Sequence, residues 1–92
     1  MNRVAFPPSP PAADERIVAD SAAFEPCEAA LQSLVLRAGY VVTERQYSVS
    51  PDWGQVLRAK VDIAGGAISA PVIVWLKEGE GVGLFVDMGP ER

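Results

Sequence analysis

The sequence predicts an α+β domain: one main helix, over about 26–38, packed on a four-stranded antiparallel meander at about 40–49, 55–64, 67–78 and 82–88. Three observations carry that expectation. Apolar residues recur at three- and four-residue spacing through the first segment, the period changes to two from Tyr40 onward, and glycine clusters interrupt the alternation where hairpins need them.

The helix has marked ends. Pro26 suits the first turn, where its missing N–H costs nothing. Glu25 and Glu28 set negative charge against the positive end of the helix dipole, and Phe24 stands where a hydrophobic staple begins. Cys27, Ala30, Leu31, Leu34, Val35 and Ala38 form one apolar stripe, and Gly39 supplies the left-handed residue that stops it. Cys27 lies on that stripe and reads as a small core hydrophobe rather than a nucleophile. Upstream, Pro7, Pro8, Pro10 and Pro11 lack backbone donors, so residues 1–12 read as a flexible proline-rich tail and 13–92 as one domain. Between them, Asp14 to Ala23 has apolar residues too sparse to fix a period. A short helix and an irregular lead-in both fit.

Strand phase follows from the turns. Gly65-Gly66 reads as a two-residue hairpin turn with both residues at positive φ. Ile63 then faces Ile68, Val61 faces Ala70, Ala59 faces Val72 and Leu57 faces Val74, all on one apolar face. Asp62 with Ser69, Lys60 with Pro71, Arg58 with Ile73 and Val56 with Trp75 share the other. A slip of one residue would destroy the agreement. A three-residue loop Gly79-Glu80-Gly81 sets Leu76 against Leu84, Val74 against Val86, Val72 against Met88, and Trp75 across from Phe85. Pairing Tyr47 with Leu57 puts Thr43 by Val61, Glu44 opposite Lys60 as a cross-strand ion pair, and Arg45 inward opposite Ala59. Inward charge protects an edge strand from unwanted pairing.

The chain has 92 residues and a net charge of −4, from twelve acidic and eight basic side chains, which disfavours nucleic acid. It has no histidine, hence neither the commonest general base nor the commonest metal ligand, and no catalytic residue, metal site or cofactor is assigned. One cysteine allows no internal disulfide, and no apolar run is long enough for a membrane span, so a reducing, cytoplasmic setting is expected. What remains is the second face of the sheet. There Val56, Arg58, Ile73, Trp75 and Phe85 form an aromatic strip, which is either covered by residues 13–24 folding back or expected to bind a partner protein, above all a second copy as a homodimer. The alternatives are a stacking platform for single-stranded nucleic acid, with Arg58, Lys60 and Lys77 as cations, or a small-ligand or enzymatic domain.

Overall fold

The computed structural model describes Pro7, Pro11 and residues 13–87. Its elements run β1 (Arg16–Val18), a 3₁₀ turn (Ala22–Phe24), α1 (Glu25–Ala38), β2 (Val41–Ser50), β3 (Gly54–Ile63), β4 (Ile68–Lys77) and β5 (Gly81–Val86). The sheet is antiparallel with strand order β1-β2-β3-β4-β5, a meander with α1 on one face. It has five strands, not four. Arg16–Val18, in the segment read as a short helix or irregular lead-in, pairs as an extra edge strand with Tyr47–Val49. The proline-rich segment lies outside the described residues except for Pro7, which is buried, and Pro11, which is exposed.

The helix starts and stops where the sequence marks it. Gly39 adopts φ 74 and donates its N–H to the Val35 carbonyl at 2.9 Å, closing the last turn in a conformation that disfavours other residues. The buried stripe of α1, Cys27 and Leu31, meets Leu57, Ala59, Val61, Ala70, Val72 and Val74 from the sheet. Each branched side chain there contributes about 1.5–3 kcal/mol by leaving water.

The β3–β4 register agrees pair for pair with the expectation, from Ile63↔Ile68 to Leu57↔Val74 and Val56↔Trp75. The turn that sets it differs. Ala64, Gly65 and Gly66 all have positive φ, and Ala67 donates to the Ala64 carbonyl, so the loop spans Ala64–Ala67 rather than two glycines. Adding one residue to each side of a two-residue turn preserves phase, so each strand keeps its expected face.

The β4–β5 register is offset by two residues. Lys77 pairs with Gly81, and Glu80 donates to the Lys77 carbonyl at 2.9 Å, so the loop is Glu78-Gly79-Glu80. Leu84 and Val86 keep the expected face, but Val74 meets Leu84, Val72 meets Val86, Ile73 meets Phe85, and Trp75 meets Gly83 instead of Phe85. Met88 lies outside the described residues. Pro71 explains where β5 ends. Asp87 donates to the Pro71 carbonyl at 2.9 Å, but proline has no N–H to return, so the ladder stops at Val86.

In β2, Tyr47↔Leu57, Arg45↔Ala59 and Glu44↔Lys60 hold, and a bulge then makes Thr43 the extra residue, so Val42 rather than Thr43 faces Val61. Thr43 donates its hydroxyl to the Lys60 carbonyl at 3.2 Å. Glu44 and Lys60 face each other without an ion pair. Among the described residues, ion pairs form instead at Arg45–Glu28 and Arg58–Glu15. Arg45 does lie on the helix side, where Glu28 from the first turn of α1 meets it at 3.0 Å.

Candidate interaction surface

The face of the sheet away from α1 is partly closed by the segment leading into β1. Alternation along 15–18 puts Glu15 and Ile17 on this face. Glu15 holds Arg58 side-on, with Nε to Oε2 and Nη2 to Oε1 both at 2.7 Å, and it also accepts the Ser48 hydroxyl. The carboxylate is 1% exposed and the guanidinium 12%, so this is a buried, bidentate pair. Val56 and Ile73 beside it are also buried. Pro11 borders an open groove of about 430 Å³ along Lys60, Pro71 and Ile73. Of the five residues expected to meet a partner, Val56, Arg58 and Ile73 are therefore engaged within the chain itself, leaving Trp75 and Phe85 half-buried.

Trp75 is placed by glycine. A Cβ on Gly83 would come within 2.4 Å of the Trp75 Cε2 and Cζ2 atoms, so the indole lies against the bare backbone of the neighbouring strand. Its other neighbour, Trp53, comes from the β2–β3 turn. Ser50 Oγ accepts the N–H groups of Asp52 and Trp53, each at 3.2 Å, which folds the turn so that the two rings meet edge to face at 6.0 Å. The Lys77 ammonium stands 6.0 Å from the Trp53 ring centroid. The sequence carried no signal for the Trp53–Trp75 contact, because the direction of a turn side chain is not a matter of period.

The same margin of the sheet is exposed on its helix side. Val82 is 44% exposed and Leu84 36%, and both belong to β5, an edge strand. Next to them an open groove of about 480 Å³ is lined by Val49, Gly54, Gln55, Leu76 and Glu78, and the buried Gln55 Oε1 atom has no hydrogen-bond partner among the described residues. Gly54 is required at its floor: it has φ 78, and a Cβ would lie 2.3 Å from the Leu76 carbonyl oxygen.

Cys27 and Tyr47 have structural roles. Burial, with a smaller contribution from Glu28, pushes the Cys27 thiol up to about 11, so it stays protonated and unreactive at neutral pH. Tyr47 donates its hydroxyl to Glu28, and burial followed by that bond raises its pKa. Phe24 packs on the Tyr47 ring at 5.1 Å. Among the described residues no helix is long and apolar enough to cross a membrane, and no group of three or more His, Cys, Asp or Glu is placed to hold a metal ion. Comparison with protein-family models, curated proteins and solved structures finds no match.

Proposed function

We propose that this chain is a small non-catalytic protein-interaction module, with its contact surface at the β4–β5 margin of the sheet. The observation that carries the reading is that β5 presents incompletely buried apolar side chains on both faces. Val82 and Leu84 lie on the helix side, and Phe85 lies on the other, the face that also carries Trp75. Clustered apolar surface of this kind on a small domain generally marks a contact site, and tryptophan is over-represented among residues that dominate such contacts. The stacking-platform alternative is weakened by the structure's use of its cations. Arg58 is held by Glu15, and Arg45 lies with Glu28 on the helix side, which leaves Lys60 and Lys77 as cations beside the aromatic strip among the described residues.

The test is selection from a random peptide library displayed on phage, followed by amide shift mapping of an enriched synthetic peptide on the isotopically labelled protein. Extended apolar peptides should be enriched and should shift the amides of residues 81–86 and the Trp75 indole. Shifts confined to other surfaces, or no enrichment over an unrelated acidic domain, would refute the reading.

A further inference from the structure

We infer that the partner is a second copy of this chain, added edge to edge through β5, with the twofold axis passing at Leu84; this rests on the β4–β5 margin being the contact surface. The bond from Asp87 N–H to the Pro71 carbonyl fixes which residues of β5 point their polar groups at β4. Paired residues on antiparallel strands alternate between hydrogen-bonded and non-bonded sites, so Gly83 and Phe85 bond to β4, while Val82, Leu84 and Val86 turn their N–H and C=O groups to the open side.

Those three residues are self-complementary. When Leu84 faces the partner's Leu84, Val82 faces the partner's Val86 and Val86 faces the partner's Val82. Every outward group finds a mate, giving about six inter-chain backbone hydrogen bonds, two for each bonded pair. Sliding the register by two residues in either direction leaves one of the three without a partner, and sliding it by one sets all three against residues whose polar groups turn back to β4. The side chains of all three project to the helix side, so the join extends the apolar face already formed by Val72, Val74 and Leu76. On the opposite side the same register sets Gly83 against the partner's Phe85, a ring beside the bare backbone under Trp75.

The two edges of the sheet also differ. Proteins protect exposed edges with short strands, bulges, charge or proline. The other edge uses the first three devices. β1 has three residues and includes Arg16, and the open stretch of β2 beyond it carries the Thr43 bulge together with Glu44 and Arg45. β5 has six residues, Gly81–Val86, with no charge and no proline among them. Among the described residues one edge is left unprotected while the other is blunted, which suits a sheet built to be continued. A joint one strand long is small, so the dimer is expected to be weak and reversible.

The experiment is sedimentation equilibrium from low micromolar to near-millimolar protein, on the wild type and on Leu84→Pro. The Leu84 N–H points away from β4, so proline there removes a dimer bond while sparing the fold's own ladder. The wild type should dimerise, and Leu84→Pro should stay folded and associate about thirtyfold more weakly or worse, one bond being lost from each chain. A short bifunctional thiol reagent should couple Leu84→Cys to itself and leave Val82→Cys uncoupled, with the buried Cys27 of the wild type as the unreactive control. The cysteine pair decides the matter if the proline variant fails to fold. A monomeric wild type overturns the inference while the peptide experiment still tests the contact surface. A dimer that ignores Leu84→Pro, or that couples through Val82→Cys in preference to Leu84→Cys, overturns the proposed pairing.

Discussion

Replacing Glu15 with alanine should cost this fold about 3–5 kcal/mol, the range seen when one partner of a buried ion pair is removed. The structure puts the pair in that class: two 2.7 Å charge-assisted bonds join a carboxylate 1% exposed to a guanidinium 12% exposed. Removal leaves Arg58 charged, poorly solvated and without its bidentate acceptor, and it also takes the acceptor from the Ser48 hydroxyl. A domain of this size is stable by about 5–10 kcal/mol in total, so the loss is a large share. Equilibrium urea unfolding, followed through the half-buried Trp53 and Trp75, reads it directly. With a slope of about 1–1.5 kcal/mol per molar, the midpoint should fall by roughly 2–5 M. The double variant Glu15→Leu/Arg58→Met removes both charges and should recover much of the loss, because desolvation of the pair offsets most of its attraction. A single-variant loss below about 1 kcal/mol, or no coupling in the double-mutant cycle, would show that the pair does not hold the N-terminal segment to the sheet.

Two further perturbations test other parts of the structure. Gly83→Ala pushes a methyl to within 2.4 Å of the Trp75 ring, and should destabilise by about 1–3 kcal/mol and shift tryptophan emission to the red as the indole lifts; unchanged emission would refute that contact. The Cys27 thiol is raised by burial from 9.0 to about 11, so its protonated form favours the folded state. That contribution is fully present below pH 9, is lost as pH climbs towards 11, and amounts to about 2 kcal/mol of extra alkaline destabilisation that Cys27→Ala should lack, as measured by urea unfolding at stepped pH.

The parts of this fold that were legible in the sequence are those where two local signals agree. Pro26 and Gly39 bracket a stripe of the right period, and the helix lies between them. Gly65-Gly66 stands between segments that alternate in phase, and every β3–β4 pair follows even though the loop is longer than a two-residue turn. The failures have equally physical causes. Gly79 and Gly81 both adopt positive φ, so either can be taken as the left-handed loop residue, and the two choices differ by two residues in register while exposing the same faces. That ambiguity moved Phe85 away from Trp75. Thr43 carries no mark of a bulge. β1 is too short to show a period, and what secures it is remote in sequence: Glu15 reaching Arg58. The expected partner strip therefore included Val56 and Ile73, which the structure buries.

That separation along the chain has a kinetic consequence. The β2–β3, β3–β4 and β4–β5 pairings each close through a turn of a few residues, whereas the Glu15–Arg58 bond closes a loop of 43. Loop-closure entropy favours the short hairpins first, so the leading segment should dock after the rate-limiting barrier has been crossed. Glu15 then acts as a latch: its loss should accelerate unfolding and leave the refolding rate nearly unchanged, with a φ-value close to zero in stopped-flow chevrons. A slowed refolding arm would place this residue inside the nucleus instead.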